Sequence, residues 1–267
     1  MHRAYAILWT FACILKQHFV MVQITSVDDM PTEICNIVRI SIDEYVQSAV
    51  HTSLTEQPFI IVDSERRQDN LISIASRENL IANHGKFPVK LTSSNTYSHG
   101  EASMTLEQYV HLEVDIDAGK ANETFYLFGN NYHGIFKDLA NLYKTPPCKY
   151  CEKAGAKTIG IGGMNSGVAF HFHGPGFSEV IIGRKRWLLF PPSVRPVPGF
   201  NPNMTVKYWV DNVYPSLSYA QRSQLKDCTI YPGESLYFPD FWMHATLNLD
   251  SYNFFVSLFL DIQLMRD

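Results

Sequence analysis

The second half of the chain breaks into short apolar runs separated by Gly, Pro and Asn, and this pattern restricts the fold more than any other feature. After Thr158, each run is only a few residues long and ends at turn-forming residues. Such spacing is typical of strands in a barrel or sandwich. The strands predicted in this half are 179–182, 186–190, 228–231, 235–238 and 253–260.

The first half predicts helices in front of that β-rich region. Ser41 and Glu44 fit a capping box, which predicts a helix extending to about Val50. The other predicted helices run from Ser76 to Gly85, begin at Thr105 and span 132–143, and the predicted strands are 59–62, 89–91 and 124–128. Helices ahead of a β-rich core predict an α+β fold with a β-barrel at its centre.

Composition predicts one globular domain and argues against nucleic-acid binding. Hydrophobic residues make up 46% of the 267 residues and charged residues 18%, which allows a large buried core. The formal net charge is -4, so the chain has no excess of basic residues, on which nonspecific nucleic-acid affinity depends. No repeat or linker divides the chain, and beyond the N-terminus no apolar run is long enough to span a membrane. We therefore predict a single domain over residues 26–267.

The first residues predict entry into the secretory pathway. A basic start ending at Arg3 precedes the apolar stretch 4–15, which Lys16 interrupts. This length fits the apolar part of a signal peptide and is too short for a spanning helix. The cleavage site is poorly marked, so residues 1–25 are predicted to be a signal peptide or an N-terminal anchor. A buried or amphipathic N-terminal helix is the alternative.

Two independent features agree with secretion. Asn122 and Asn203 each begin an N-glycosylation sequon, which has meaning only in the secretory pathway. Four cysteines follow the N-terminal segment, and an even number suits disulfides in an oxidising compartment. These disulfide candidates are Cys35, Cys148, Cys151 and Cys228. The predicted location is the lumen of the endoplasmic reticulum or the exterior, and no retrieval signal ends the chain.

The Cys148-x-x-Cys151 motif allows three interpretations. Such a pair can be half of a zinc site, a redox pair or a structural disulfide. A second pair of this spacing is absent from the sequence, and nothing around it resembles a thioredoxin-like context. Structural oxidation is favoured, while the connectivity among the four cysteines stays open.

Two histidines in an extended segment form the first candidate metal-binding element. His171 and His173 lie between Gly167 and Gly174. In extended backbone, residues i and i+2 project to the same side, so both imidazoles can point at one ion. Imidazole is a common ligand for iron, zinc, copper and nickel. Hydrogen-bonded core histidines are an equally frequent explanation of such a pair.

A second segment, 232–248, adds a candidate third ligand. It contains a glycine turn, an apolar strand, a proline and then His244 flanked by aromatic residues. A barrel strand can deliver a ligand in this way from far along the sequence. The alternative is an aromatic hairpin with a buried histidine. Together, the two segments favour a three-histidine metal site.

The segments 170–192 and 232–248 resemble the JmjC (jumonji C) domain of cupin-like oxygenases, and the resemblance extends over roughly residues 41–260. The segment 92–98, which most jumonji proteins lack, points to one branch of the family. The resemblance implies a double-stranded β-helix, a jelly-roll barrel with N-terminal helices. It also implies Fe(II) and 2-oxoglutarate as cofactors, with iron held by a His-x-Asp/Glu motif and a distal histidine.

Transferred residue by residue, the resemblance assigns His171 as the first ligand and His244 as the distal ligand. His173 stands where the family has a carboxylate. A neutral imidazole leaves more charge on the metal, so this departure leaves catalysis open while preserving metal binding. Glu179 is a further candidate ligand, and a surface or outer-sphere carboxylate is its alternative.

The resemblance also indicates a cosubstrate pocket. Lys185 matches the lysine that pairs with the distal carboxylate of 2-oxoglutarate, and a solvated basic turn is the alternative because Arg184 and Arg186 flank it. Tyr126 resembles a tyrosine that assists the cosubstrate, although an ordinary core tyrosine fits equally. Other family positions are not matched: a common hydroxyl residue is Val168, and a common asparagine is Ser257.

These features predict an Fe(II)- and 2-oxoglutarate-dependent oxygenase-like protein of the endoplasmic reticulum lumen that hydroxylates a protein side chain if it is active. Two alternatives stay open. One is a catalytically deficient barrel that serves as a protein-interaction or regulatory module, and the other is a three-histidine metalloenzyme that does not use 2-oxoglutarate. The expected partner is a protein substrate or a binding protein, not a nucleic acid. The sequence carries no signal for an oligomeric state.

Overall fold

A computed structural model describes residues 34–48, 56–63, 65, 68–93, 100–115, 125–129, 133–148, 151 and 156–261. The predicted N-terminal segment 1–25 and the sequon at Asn122 lie outside the described residues. Among the helices described, none is both long and apolar enough to cross a membrane.

The N-terminal half of the described chain contains six strands and five helices. The strands are β1 (Val38–Ser41), β2 (Phe59–Val62), β3 (Pro88–Ser93), β4 (Glu101–Thr105), β5 (Phe125–Phe128) and β6 (Ala156–Gly162). The helices are α1 (Ile42–Gln47), α2 (Asp69–Ala75), α3 (Arg77–His84), α4 (Leu106–Tyr109) and α5 (Ile135–Leu142). A π-helical turn, Val110–Val114, continues α4.

The C-terminal half contains the remaining strands of the barrel and two described helices. The strands are β7 (Gly167–His171), β8 (Gly176–Ile182), β9 (Lys185–Phe190), β10 (Lys226–Ile230), β11 (Glu234–Phe238), β12 (Met243–Asn248) and β13 (Asn253–Phe259). The helices α6 (Val206–Asn212) and α7 (Tyr219–Gln224) lie between β9 and β10.

The strands form two sheets that pack against each other. The larger has the order β1-β2-β11-β8-β13-β6-β5-β3-β4, and the smaller has the order β10-β9-β12-β7. Val180 and Phe255 of the larger sheet pack in one buried cluster with Trp187 and Leu189 of the smaller sheet. Inward-facing side chains of two sheets thus form the barrel interior. The predicted α+β fold with a jelly-roll barrel is confirmed.

Helices cover the outer faces of both sheets. Leu80 of α3 and Phe136 of α5 pack in a cluster with Ile161 and Phe254 of the larger sheet. Trp209 of α6 packs with side chains of the smaller sheet. Burial of the outer face explains why the strands are apolar on both sides rather than alternating.

The predicted helix starts are confirmed wherever a capping residue was recognised. Ser41 accepts a hydrogen bond from the Glu44 amide and completes a capping box, and Ser76 accepts from the Asn79 amide. Thr105 forms a second capping box at α4. The sequence prediction missed α2, where no side chain caps the first turn, and it also missed β1, β4, β6, α6 and α7.

The four predicted disulfide cysteines form two pairs. Cys35 bonds to Cys228 across 193 residues, and Cys148 bonds to Cys151 across 3 residues. The Cys-x-x-Cys motif is therefore a disulfide in this structure, and not half of a zinc site.

Candidate metal centre

The three candidate histidines come from two neighbouring strands and the connection that follows one of them. His171 is the last residue of β7, and His244 is the second residue of β12. The two strands are antiparallel, and His171 is the direct partner of His244 in the register. His173 lies in the connection between β7 and β8. Strand pairing thus brings together residues that are far apart in the sequence.

The side chains of these histidines converge on one point. The Nε2 atoms of His173 and His244 are 3.2 Å apart. The His171 ring centroid lies 4.3 Å from that of His244 and 5.3 Å from that of His173. One ligand atom from each residue lies within 4.8 Å of the others. Donors at about 2.0–2.2 Å from one ion lie at most about 4.4 Å apart, so the three nitrogens need only a small inward shift to share an ion.

Each imidazole is oriented by its other nitrogen. The Nδ1 atoms donate to backbone carbonyls: His171 to Ala169 at 2.8 Å, His173 to Gly174 at 2.7 Å and His244 to Trp242 at 2.9 Å. A carbonyl can only accept, so Nδ1 carries the hydrogen in the neutral ring and Nε2 keeps a free lone pair. This arrangement is the usual outer-sphere support of a metal-bound histidine.

Burial keeps the three rings neutral. It lowers the pKa of His171 to about 4 and lowers the pKa of His244 well below its ordinary value. The pKa of His173 is lowered for the same reason, although the hydrogen bond to the Gly174 carbonyl and, to a smaller extent, the charge of Asp240 oppose this effect. Neutral imidazole is the form that binds metals. Three neutral nitrogen donors therefore fit a divalent transition metal, including Fe(II).

Glu179 does not join this cluster. On β8, Val180 faces the barrel interior. Because neighbouring side chains alternate along a strand, Glu179 faces the other side of the sheet. Its carboxylate is buried there and accepts hydrogen bonds from Tyr143 at 2.9 Å and Ser235 at 2.8 Å. Glu179 lines a separate cavity of about 360 Å³, which corrects its prediction as a metal ligand or a surface residue.

Lys185 is buried inside the barrel and does not belong to a solvated basic turn. The residue is only 2% exposed, and its Nζ donates to Tyr126 Oη at 2.8 Å and to Asn248 Oδ1 at 3.0 Å. The flanking basic residues point elsewhere, because Arg184 pairs with Asp250 and Arg186 pairs with Asp227. Burial holds the pKa of Lys185 well below its usual range.

One narrow cavity connects Lys185 with the histidine cluster. Its volume is about 20 Å³, enough for about one water molecule. Its walls are largely aromatic, with contributions from Phe128, Trp187, Phe238, Phe255 and Phe259. The buried Nε1 of Trp187 has no acceptor among the described residues.

Sequence reasoning missed three residues of this site. Asn248 was recognised only as the end of a motif, yet it binds Lys185. Phe255 lies with its ring centroid 3.8 Å from Lys185 Nζ. Asp240 has a buried Oδ1 without a hydrogen-bond partner in the described part of the chain. Only the strand register brings the first two to the lysine, so the sequence offered no local signal for them.

The comparisons with known proteins agree with this geometry. Residues 65–263 match the family model of the cupin-like domain. JmjC domain-containing protein 8 of Mus musculus is 40% identical over 233 residues, which cover 86% of this chain and 84% of that protein. The Homo sapiens protein of the same name is 43% identical over 190 residues, 70% of each chain. This is the branch that the sequence resemblance indicated.

A more distant relative carries a functional name. The arginine-specific demethylase JMJ22 of Arabidopsis thaliana is 25% identical over 181 residues, which cover 60% of this chain and 35% of that protein.

Proposed function

The chain belongs to the cupin-like JmjC family, and from this premise we propose that it is an Fe(II)- and 2-oxoglutarate-dependent oxygenase that hydroxylates a protein side chain. The observation that carries the proposal is the shared cavity of the histidine cluster and Lys185. A buried ammonium is costly unless an anion accompanies it. Lys185 forms no ion pair within the described residues. A carboxylate ligand would supply the missing charge.

Different residues of the barrel would bind the metal and the cosubstrate. His171, His173 and His244 would hold the ion through Nε2, and Lys185 would bind the distal carboxylate of 2-oxoglutarate. The bound iron and 2-oxoglutarate would supply the oxidising chemistry. Aromatic side chains line the cavity and exclude water from it.

His173 sets the charge of the metal site. Three imidazoles leave the full charge of a divalent ion uncompensated, whereas the carboxylate of related proteins neutralises part of it. Asp240 acts electrostatically on His173 and would offset a small part of this charge. We therefore propose that the oxygenase is slow rather than inert.

The surface around the metal ligands suits a protein substrate. Phe172, between two of the ligands, is 47% exposed, and Phe241 is 52% exposed. Arg195 stacks over the Phe172 ring at 4.1 Å and donates to the Phe241 carbonyl at 2.6 Å. Exposed aromatic and arginine side chains are enriched where proteins bind each other.

We also propose that the protein resides in the lumen of the endoplasmic reticulum. The two disulfides and the exposed Asn203 sequon support this location. In secretory cells, an endoglycosidase should shift the mobility of the wild-type protein. Asn122→Gln and Asn203→Gln should each remove part of that shift, and the double variant should remove all of it. A protein that stays unglycosylated, reduced and cytosolic would contradict the proposed location.

The small cavity supports a second candidate function, that of a metal-binding barrel without 2-oxoglutarate turnover. It would act as a protein-interaction module or as a three-histidine metalloenzyme. Anaerobic calorimetry with Fe(II), with and without 2-oxoglutarate, combined with a succinate assay in air, separates the candidates. The oxygenase should bind Fe(II) and 2-oxoglutarate and form succinate. His244→Ala should abolish both the binding and the formation of succinate. Binding of Fe(II) alone would favour the second candidate.

A further inference from the structure

Phe255 covers the ammonium group of Lys185. Two N–H groups of this ammonium donate to Tyr126 and Asn248, at 2.8 and 3.0 Å. The ring centroid of Phe255 lies 3.8 Å from the same nitrogen. The negative face of the ring thus takes the remaining side of the cation. An incoming carboxylate has to replace this contact before it can reach Lys185.

A glycine on the neighbouring strand leaves the space that the Phe255 ring occupies. Phe255 of β13 is the direct partner of Gly160 of β6. A Cβ atom at position 160 would lie 2.0 Å from Cζ of Phe255, so only glycine leaves room for the ring. Tyr126 and Phe128 pack on the same ring, with centroids 6.1 and 5.5 Å away. The ring position is therefore built into the barrel.

This position leaves little space for a ligand. The cavity that Phe255 shares with Lys185 and the histidines has a volume of about 20 Å³. That volume holds about one water molecule and is far too small for 2-oxoglutarate. Binding of the cosubstrate therefore requires a rearrangement of the cavity wall, to which Phe255 belongs.

We propose that Phe255 is a specificity-determining residue that competes with carboxylates for Lys185. This inference rests on the proposed function and adds a determinant that belongs to this chain. The ring selects against carboxylates because any carboxylate that binds Lys185 has to break a desolvated cation–π contact. Removal of the ring should therefore raise the affinity for 2-oxoglutarate, and this gain should depend on Lys185.

The test is anaerobic calorimetry of 2-oxoglutarate into the Fe(II)-bound full chain. Phe255→Ala should bind 2-oxoglutarate about tenfold more tightly than wild type, since the cation–π contact no longer has to be broken. Phe255→Leu, which keeps most of the apolar volume, should show a smaller gain in the same direction. Both gains should disappear in a Lys185→Met background. The Fe(II) affinity of each variant reports whether the histidine cluster is intact.

Phe259→Ala is the matched control. Phe259 lines the same cavity, but it packs on a different residue. Its ring centroid lies 4.9 Å from that of His173, and it does not share the close contact of Phe255 with Lys185. This variant should enlarge the cavity without the gain in affinity. An equal gain in Phe259→Ala would overturn the proposal, because added space alone would then explain the effect.

Two further outcomes separate this inference from the proposed function. If wild type binds 2-oxoglutarate and both Phe255 variants bind it no better, the role of Phe255 is wrong and the oxygenase proposal stands. If wild type and both variants bind Fe(II) and none binds 2-oxoglutarate, both proposals fail. Should Phe255→Ala not fold, Phe255→Leu decides the question alone.

Discussion

The Nε2 atoms of His173 and His244 face each other at 3.2 Å, and neither carries a hydrogen when its Nδ1 donates to a carbonyl. Two lone pairs at this distance repel each other unless a cation lies between them. The backbone carbonyls of Gly174 and Trp242 therefore hold the rings in an arrangement that favours a bound metal ion. The geometry of the metal centre thus depends on the backbone carbonyls that orient the rings as well as on the histidines themselves.

His244→Ala should remove metal binding. His244 is the most buried of the three ligands, and its loss leaves only two donors that face the ion. We expect the Fe(II) affinity to fall at least about 100-fold, because even the loss of an outer-sphere partner commonly costs 10–100-fold. Competition with a chelator under anaerobic conditions measures this change. His84→Ala, on helix α3, is the control and should retain the wild-type affinity.

His173→Asp should strengthen Fe(II) binding and increase 2-oxoglutarate turnover. The carboxylate places a negative charge beside the ion and so offsets the charge that three imidazoles leave. His173→Asn is the matched control, because asparagine has nearly the same shape without the charge. Chelator competition and a succinate assay should show a gain for aspartate that asparagine does not reproduce. Equal behaviour of the two variants would mean that charge does not limit this site.

Lys185→Met should stabilise the protein and abolish 2-oxoglutarate binding. Burial lowers the pKa of Lys185 in the folded state, so the unfolded chain binds the proton more tightly and the charged lysine destabilises the fold. This penalty is full below the lowered pKa and fades as pH rises towards 10.5, the ordinary value. The variant should therefore melt at a higher temperature at neutral pH, with a gain that shrinks at alkaline pH.

Thermal unfolding at several pH values measures this effect. Asn248 Nδ2 already lies 3.4 Å from Tyr126 Oη, so Tyr126 Oη keeps a donor when the lysine is removed, whereas Asn248 Oδ1 loses one. Arg186→Met is the control, because it breaks an ion pair with Asp227 and should lower the stability. A variant at position 185 that melts below wild type at neutral pH would show that the buried ammonium stabilises the fold.

The sequence predicted those parts of the molecule that depend on local chemistry. Capping residues such as Ser41 predicted helix starts, because the side chain and the amide that it binds are three residues apart. The spacing of His171 and His173 predicted that their side chains point to the same side, because this too depends only on residues close together in the sequence. These contacts need no knowledge of which strands pair.

Features that depend on strand register could not be predicted in this way. Gly160 and Phe255 are partners only because β13 pairs with β6 in one register. Glu179 follows the histidine motif closely in sequence, yet the alternation along β8 turns it away from the barrel interior. A shift of one residue exchanges the two faces of a strand. The position of Phe255 beside Lys185 and the orientation of Glu179 away from the histidines therefore depend on how the strands pair.

The two disulfides should differ strongly in their effect on stability. In the chain-entropy model, closing the 193-residue separation between Cys35 and Cys228 stabilises the fold by about 5 kcal/mol, whereas the 3-residue separation between Cys148 and Cys151 gives less than about 2 kcal/mol. Double alanine variants of each pair are well matched, since Cys228 and Cys151 are both buried. Denaturant unfolding should show the larger loss for Cys35→Ala/Cys228→Ala. Equal losses would mean that side-chain packing rather than loop closure determines what each disulfide contributes.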